Sequence, residues 1–432
     1  MRYVIIGNSA AGINGAEAIR MRDNNGEITI ISEEDYPAYS RCLIPYFMEG
    51  KLAEEDMLYR PAGYYEENRF NTILGRRAVS IDTKEKCVKL DNNECISYDK
   101  LLIATGGSPK LPDIPGIEKD GVFGFRTTKD LKGILRIAKT AKEAVVTGGG
   151  CIGLMAACGL HSLGLKVSIV IRSRHLLSQV ADPEAGEIFR KRFETNGIPV
   201  LTETDVVKIT GDKTISGVEL DNGKKISCQL LIAGKGVTPN IELVKNTDIA
   251  VHDGIIVDDE QRTTATDVYA AGDVAETIDI VTGKRTVNAI WPAAAEQGRI
   301  AGANMTGEHK KYAGSIRMNS ADFFGLPLIS IGMVKPPPGQ GYEFLTYYNE
   351  KENIFKKVVI LNNILVGAVL VGDIENAGVY RSLIEKKIDI SPIKKRLLDK
   401  RFGFTSVLEL IDTQKQKFYE PEYRDALLCL SD

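Results

Sequence analysis

A glycine-rich turn near the start of the chain is the first place where residue types and spacing could do chemistry. An apolar run, Tyr3 to Ile6, precedes the turn, and a helix-like run follows from Ile13. Glycine permits a tight turn and close helix packing, the free N–H groups at the helix start attract a pyrophosphate, and an acid about 20 residues later can bind ribose hydroxyls. The pattern predicts a dinucleotide-binding βαβ unit, although serine stands at its middle glycine and an ordinary strand–turn–helix is the alternative. The predicted residues are Gly7, Ser9, Ala10, Ala11, Gly12 and Glu33, with Glu34 as the second choice for the acid.

A second turn repeats this pattern in complete GxGxxG form, again between a strand-like and a helix-like run. No acid follows the next predicted strand. Two arginines stand there instead, which is the pattern that accommodates the 2′-phosphate of NADPH. The residues therefore favour NADPH, with NADH and a merely solvated basic loop as the alternatives. This second predicted site comprises Gly148, Gly150, Cys151, Ile152, Gly153, Arg172 and Arg174.

Each predicted unit is closed by an apolar strand that ends in glycine. The first of these strands runs into Ala104, Thr105 and Gly106, and the second runs into Ala233 and Gly234. Such turns can pass their backbone close to a cofactor. The repetition predicts two similar nucleotide-binding folds, arranged so that one dinucleotide can pass electrons to the other.

Two later segments could complete the first site. Gly272 and Asp273 follow a predicted strand, where the carboxylate can hold a polyol chain such as the ribityl of a flavin. A helix is predicted to open at Ile290 and Trp291, because Pro292 suits its first turn. The N-terminus of that helix would stabilise the negative charge of a reduced flavin.

Cys42 is the candidate catalytic residue. It lies in a loop near the carboxyl edge of the first predicted sheet, where open α/β sheets bind their ligands. The neighbouring Arg41 would help to lower the pKa of the thiol, and a thiolate could act as nucleophile or redox group. A buried, inert cysteine is an equally strong interpretation.

The composition is that of an ordinary two- or three-domain protein of 432 residues. The net charge of −3, with both signs interspersed, gives no indication of nucleic-acid binding. Seven cysteines without a CxxC pair argue against a disulfide framework and against a zinc or other metal site. The chain begins with a predicted core strand rather than a leader, and its longest apolar region is broken by glycines, so we expect a cytoplasmic protein without a membrane span.

Taken together, these motifs resemble the pyridine nucleotide–disulfide oxidoreductase superfamily over about residues 1 to 310. The resemblance implies FAD on the first unit, NAD(P)H on the second, and hydride transfer between nicotinamide and flavin. It also implies that Asp273 holds the ribityl chain and that the strand carrying Ala78 contacts the adenine. Arg41 and Cys42 are expected beside the flavin.

Within the superfamily the chain looks most like NADH:rubredoxin oxidoreductases and the flavin half of nitrite reductases. Tyr39 to Arg41 and Leu365 to Asp373 carry that likeness, whereas Cys42 to Tyr46 resembles the redox-active segment of coenzyme A disulfide reductases. The main interpretation is therefore an NAD(P)H oxidoreductase that exchanges electrons with a protein partner, such as a rubredoxin-like carrier or a metalloenzyme subunit. The alternatives are an oxidase, peroxidase or small-disulfide reductase that uses Cys42, and an NAD(P)H-sensing flavoprotein.

The predicted fold class is α/β, with two Rossmann-like dinucleotide-binding domains and a C-terminal α+β interface domain. Residues 1–115 and 245–310 are expected to form the FAD-binding domain, 116–244 the NAD(P)H-binding domain, and 311–390 the interface domain. Residues 391–432 are expected to be a helical extension. Apolar residues between Arg396 and Asp425 predict docking on a partner subunit, with packing on its own domain or on a second copy in a homodimer as the alternatives.

Overall fold

The structure, a computed structural model, describes residues 1–418. Its first sheet is parallel, because a crossover after each strand returns the chain to the edge of the sheet where that strand began. We call this sheet and its helices the first unit. The strands are apolar since helices cover the sheet. The order across the sheet is β19 (Val268–Ala270), β7 (Lys100–Ile103), β1 (Arg2–Ile6), β2 (Glu27–Ser32) and β3 (Phe70–Leu74).

A second sheet of the same kind forms the core of what we call the second unit. All of its pairings are parallel, as in the first sheet. The predicted class of two Rossmann-like units is thereby confirmed. The order is β12 (Val200–Leu201), β11 (Lys166–Val170), β10 (Glu143–Thr147), β16 (Leu230–Ala233) and β9 (Val122–Phe123).

Helices occupy the crossovers and the connections between the sheets. The helix after β1 packs against a long helix near residue 300, and these two give the first unit its closest helix pair. The helices are α1 (Ala10–Arg20), α2 (Ile44–Met48), α3 (Tyr64–Glu67), α4 (Thr128–Ala138), α5 (Cys151–Ser162), α6 (Pro183–Thr195), α7 (Trp291–Met305), α8 (Ala377–Glu385) and α9 (Leu408–Thr413).

Small antiparallel sheets cover the edges of both units. The first is the predicted β-meander after residue 76. Their strands are β4 (Ala78–Asp82), β5 (Cys87–Leu90) and β6 (Cys95–Ser97); β13 (Val206–Thr210), β14 (Gly217–Leu220) and β15 (Lys225–Ser227); β8 (Gly107–Pro109) with β17 (Val237–Pro239); and β18 (Ile255–Ile256), β20 (Ala275–Ile278) and β21 (Arg285–Thr286), of which β18 and β20 pair in parallel.

One disulfide corrects the expectation from the cysteine spacing. Cys87 and Cys95 are bonded to each other. They lie eight positions apart, but β5 and β6 turn back on one another and bring the two side chains together. A CxxC spacing is therefore not needed for this pair. The other cysteines among the described residues are free.

The C-terminal domain is a five-stranded antiparallel sheet with α8 against one face. Four of its strands match predicted segments, although β22 begins three residues later than expected, and β24 was not predicted. The order is β22 (Met318–Phe323), β23 (Leu326–Gly332), β26 (Ile364–Val371), β25 (Ile354–Leu361) and β24 (Glu343–Asn349).

The segment after Ser391 packs on this domain. Its apolar side chains, among them Leu397, Leu410 and Phe418, join the core formed by α8 and the sheet. Of the three predicted docking partners for this segment, residues 391–418 therefore pack on their own domain. The rest of the predicted segment, residues 419 to 425, lies outside the described residues. Within residues 1–418, no helix has the length and apolarity needed to cross a bilayer. The same residues contain no cluster of three His, Cys, Asp or Glu side chains suited to a metal ion.

Candidate active site between the two nucleotide units

The first glycine turn is shaped by two close backbone approaches. Gly7 has a φ of +127°, and a Cβ on it would collide with the carbonyl oxygen of Ala104. A Cβ on Gly12 would collide with the carbonyl oxygen of Gly7, so glycine lets α1 start directly against β1. Ser9 is the N-cap, but its side chain makes no capping hydrogen bond. The first N–H groups of α1, which includes Ala10 and Ala11, therefore have no side-chain acceptor from this cap and suit a pyrophosphate.

The second turn has the same construction at the end of β10. Gly148 also has a positive φ, +115°, and Gly153 approaches the carbonyl oxygen of Gly148 as Gly12 approaches that of Gly7. Gly150 is the N-cap of α5, and a Cβ on it would meet nothing within 4 Å. This open space over a helix N-terminus fits a pyrophosphate. Cys151 and Ile152 form the first turn of α5, and burial raises the pKa of the Cys151 thiol to about 11.

The two acidic residues after β2 have different environments. Glu33 is exposed, and no other described residue bonds to it. Glu34 is mostly buried; its carboxylate accepts hydrogen bonds from Arg41 Nη2 at 2.5 Å and from the Tyr39 hydroxyl at 2.8 Å. The first-choice acid, Glu33, is thus the one that is free to meet a ribose.

Glu34 also ties the first unit to the second. Its Oε2 atom accepts from the Thr128 hydroxyl at 3.1 Å, and the Tyr39 hydroxyl accepts from the Thr128 N–H at 3.0 Å, at the start of α4. Arg41 Nη1 donates to the carbonyl oxygen of Arg126 at 3.0 Å. Desolvation, the largest influence, acts to raise the pKa of Glu34, but Arg41 and the hydrogen bonds outweigh it and lower that pKa. Glu34 and Arg41 therefore form an ion pair to which Tyr39 and Thr128 are hydrogen-bonded, and we call these four residues the Glu34 network.

Arg126 is a site residue that the sequence reasoning missed. Its Nη2 atom donates to Asp273 Oδ2 at 2.6 Å, and both side chains are largely buried. Arg126 comes from the segment before α4, whereas Asp273 follows β19. A capping box of Thr127 and Asp130 marks the start of α4 in the sequence. That pattern locates a helix start, but not the carboxylate 147 residues away that the arginine meets.

Cys42 lies beside this ion pair, in a short 3₁₀ helix of residues Arg41–Leu43. The residue is exposed to solvent on one side, and protein atoms surround its thiol on the other sides. Desolvation is the largest influence on the thiol and raises its pKa above the ordinary 9.0; Asp273 adds to the rise, and Arg126 opposes it. The thiol therefore loses its proton less readily than an ordinary cysteine, contrary to the expectation that Arg41 would lower its pKa.

The segment after β7 is tied to the segment after β17. Thr105 Oγ1 donates to the carbonyl oxygen of Asn240 at 3.0 Å, and Asn240 Nδ2 donates back to that of Thr105 at 2.8 Å. Ala104 and Gly106 flank Thr105, while Gly234 lies against Gly148 and Gly153. The glycine turns and their closing strands thus form one continuous region.

Residues near α7, which are predicted to meet the far end of the cofactor, lie close to the first glycine turn. Gly272 packs against Ala11 and donates its N–H to Gln297 Oε1 at 2.8 Å. Ile290 is the N-cap of α7, and Trp291, its first residue, meets the ring of Tyr59 edge to face at 5.0 Å. The N-terminus of α7 and Asp273 are therefore brought to the same side as the first turn. Ala78 lies at the start of β4 and is half-buried against the core on the other face of the first sheet.

The two arginines of the second site are solvent-exposed after β11. Arg174 is 88% exposed, and its Nε atom lies 3.2 Å from Glu203 Oε1; Arg172 is exposed as well. A cavity of about 570 Å³ opens beside Arg174, His175 and Glu187. Of the two guanidinium groups, that of Arg174 lies at this cavity, and its partner there is the exposed carboxylate of Glu203.

The arrangement has two glycine turns that open uncapped helices at the carboxyl ends of β1 and β10, with Cys42, Arg126 and Asp273 between the units. A family description, pyridine nucleotide-disulphide oxidoreductase, matches residues 1–298. The chain belongs to this family. A second description, the rubredoxin NAD+ reductase C-terminal domain, matches residues 318–388 of the oxidoreductase. The predicted family and enzyme class are thus confirmed.

Curated relatives cover nearly the whole oxidoreductase. The NADH-dependent phenylglyoxylate dehydrogenase subunit epsilon of Aromatoleum evansii is 32% identical over 92% of this chain and 94% of its own. The assimilatory nitrate reductase electron transfer subunit of Bacillus subtilis is 30% identical over 92% of this chain, which spans only 51% of that relative. Among solved structures, a NAD-dependent persulfide reductase from A. fulgidus superposes with a TM-score of 0.85, at 27% identity over 93% of this chain and 80% of the other.

The cofactors that the family implies are FAD and a pyridine nucleotide. Two uncapped helix N-termini with matching glycine geometry fit the two pyrophosphates. The residues present therefore suit both cofactors.

Proposed function

We propose that this oxidoreductase holds FAD on the first unit and NAD(P)H on the second, and that it exchanges electrons with a protein partner. The observation that carries the proposal is the matched pair of glycine turns, each opening an uncapped helix at the carboxyl end of a parallel sheet. When both cofactors are bound, the flavin accepts hydride from the nicotinamide and can release its electrons singly.

In the proposed FAD site, the turn from Gly7 to Gly12 binds the pyrophosphate and Glu33 binds the adenosine ribose. Asp273 holds the ribityl chain, and its ion pair with Arg126 positions the carboxylate from the second unit. The N-terminus of α7 at Ile290 stabilises negative charge on the reduced ring. Ala104 to Gly106 and Ala78 are proposed to contact the cofactor as well, and Arg41 supports the site through its ion pair with Glu34.

In the proposed nucleotide site of the second unit, Gly148 to Gly153 bind the pyrophosphate. Arg172 and Arg174 favour NADPH, because exposed guanidinium groups at the end of β11 can pair with a 2′-phosphate. The relatives named for NADH or NAD argue for the other nucleotide. We propose that both nucleotides are accepted, with NADPH preferred.

A protein acceptor is favoured by the relatives. The phenylglyoxylate dehydrogenase relative is a subunit of almost the same length, and the nitrate reductase relative is called an electron transfer subunit. This chain covers only half of the nitrate reductase relative, so that relative does not identify the acceptor. We therefore propose only the class of partner, a rubredoxin-like carrier or a metalloenzyme subunit.

The domain organisation is also a proposal. We infer that residues 1–115 and 245–310 form the FAD-binding domain, because β19 pairs with β7 in the first sheet. Residues 116–244 then form the nucleotide domain and 311–390 the interface domain. The segment from 391 onwards is an extension of the interface domain, since its described part packs on it.

The decisive experiment is an anaerobic titration of the flavin-loaded protein with NADPH and with NADH. We expect either nucleotide to bleach the flavin band, and an oxidised iron protein to restore it rapidly. Arg174→Gln should weaken NADPH binding about tenfold, the effect of losing one charge-assisted contact worth about 1.4 kcal/mol, and leave NADH binding unchanged. Lys139→Gln on the exposed end of α4 is the charge-matched control. Protein that binds no flavin, or flavin that neither nucleotide reduces, would refute the proposal.

The second candidate function is reduction of a small disulfide or persulfide at Cys42. It is favoured by the position of the thiol beside Arg126 and Asp273 and by the likeness to a persulfide reductase. The raised pKa of the thiol counts against it, because the thiolate is the reactive form.

A further inference from the structure

The C-terminal domain contacts the second unit beside the cavity of about 570 Å³. Residues 171–182 form the loop between β11 and α6, and Ser178 of this loop lines the cavity. The ammonium group of Lys335, in the connection between β23 and β24, donates a hydrogen bond to the carbonyl oxygen of Ser178. The N–H of Leu177 donates to the carbonyl oxygen of Gly149 at 2.7 Å. One loop therefore links the second glycine turn to a cation from a different domain.

Lys335 is a cation without an acidic partner. Among residues 1–418 no carboxylate lies within ion-pair distance of its ammonium group, and the carbonyl oxygen of Ser178 is its only hydrogen-bond acceptor. Asp182, an acid of the same loop, accepts instead from Lys357 at 2.9 Å. Desolvation lowers the pKa of Lys335 and repulsion from Lys357 adds to this, while Asp182 opposes it. A bound anion would therefore stabilise the charged form of Lys335.

The cavity itself suits a negatively charged group. Glu187 is the acid among the described residues that line it, and Arg190 pairs with this carboxylate through two hydrogen bonds, at 2.6 and 2.7 Å. The first residue of α6 also lines the cavity, and the N-cap, Asp182, makes no capping hydrogen bond to this helix. An uncapped helix N-terminus attracts anions. Arg174, Lys335 and the start of α6 therefore place positive charge around one space.

We propose that Lys335 is a specificity-determining residue, whose ammonium group binds the 2′-phosphate of NADPH together with Arg174. This role rests on the proposed nucleotide site of the second unit and adds to it a residue from the C-terminal domain. A phosphate is a stronger acceptor for an ammonium group than the neutral carbonyl of Ser178, and the flexible lysine side chain can turn from one to the other. NADH carries a hydroxyl group at the same position, so it gains little from the contact.

The test is anaerobic stopped-flow reduction of the flavin-loaded full chain over a range of nucleotide concentrations, which gives a Kd for each nucleotide. Lys335→Gln should raise the Kd for NADPH about tenfold, the effect of losing one charge-assisted contact. It should leave the Kd for NADH and the limiting rate of flavin reduction unchanged. Lys395→Gln, which removes an exposed cation of the C-terminal extension, is the matched control and should bind both nucleotides like the original chain.

Two results of this titration would overturn the proposal. One is a Lys335→Gln variant that binds NADPH as tightly as the original chain does. The other is an equal weakening of both nucleotides, because Lys335 would then only hold the loop through Ser178. If neither nucleotide reduces the flavin, the proposed function fails instead, and a second measurement still decides the role of Lys335.

That measurement is a lysine footprint, which does not depend on flavin chemistry. The flavin-loaded chain is acetylated briefly with acetic anhydride, and the modified lysines are identified by mass spectrometry. Adenosine 2′-phosphate should protect Lys335 from acetylation, whereas adenosine 5′-phosphate should not, and neither should protect Lys395. Acetylation of Lys335 that is the same with and without adenosine 2′-phosphate would contradict the contact.

Discussion

The Glu34 network gives the sharpest test of how the two units are held together. Glu34→Gln keeps the size of the side chain and leaves an oxygen for Thr128 and Tyr39, but it removes the anion beside Arg41. The Glu34 and Arg41 side chains are only 21% and 25% exposed, so water compensates little of the lost charge. The variant isolates the ionic part of the network.

The expected loss follows from this partial burial. Breaking one partner of a fully buried pair costs about 3–5 kcal/mol, whereas an exposed pair contributes about 0–1 kcal/mol. The network lies between these limits, and we expect Glu34→Gln to lower the free energy of unfolding by about 1–3 kcal/mol at pH 7. Asp35→Asn, an exposed carboxylate next to it in the sequence, should change it by less than about 0.5 kcal/mol.

The pH dependence provides a second readout of the same variant. The pKa of Glu34 is lowered in the folded protein, so its stabilising contribution is complete above the ordinary value of 4.5 and is lost as the pH falls through the lowered value. The difference between the original chain and Glu34→Gln should therefore be constant from pH 7 to about 5 and shrink below 4.5. Urea unfolding across this range measures it. Equal stabilities at pH 7, or a difference that grows in acid, would refute the reasoning.

Two further variants test the cofactor and thiol assignments. Gly150→Ala should lower the free energy of unfolding by no more than about 1 kcal/mol, because the added Cβ meets nothing within 4 Å although alanine is a poorer N-cap than glycine. It should weaken NAD(P)H binding about tenfold or more by crowding the pyrophosphate; stopped-flow reduction of the flavin measures this, and unaltered binding would contradict the assignment. Cys42→Ser should leave electron transfer to an iron protein unchanged, and loss of that turnover would favour the thiol mechanism instead. Because the pKa of the Cys42 thiol is raised above the ordinary 9.0, its rate of alkylation should keep rising with pH beyond 9.0, where the rate for an ordinary cysteine levels off.

Local patterns in the sequence are sufficient to predict the two nucleotide turns. A tight turn, a close helix start and an exposed helix N-terminus depend on a few neighbouring residues, so Gly7 to Gly12 and Gly148 to Gly153 reveal them directly. The buried parallel strands follow from their apolar runs. The fold class and the family could be predicted for the same reason.

Elements with weak local patterns were predicted poorly. Strand β24 is exposed on both faces, so it lacks the polar–apolar alternation that marks a half-buried strand. The disulfide between Cys87 and Cys95 depends on how two strands turn back on each other. Packing of the segment after Ser391 on its own domain, rather than on a partner, depends on which apolar surface lies within reach.

By itself, then, the sequence determined the two glycine turns, the closing strands and the order of the units, because neighbouring residues encode them. Only the tertiary structure decided that Glu34 holds Arg41 and Thr128 while Glu33 stays free, and that Arg126 reaches Asp273 across the units. Those contacts join residues up to 147 positions apart. Their partners are chosen by the packing of whole domains, which no local spacing records.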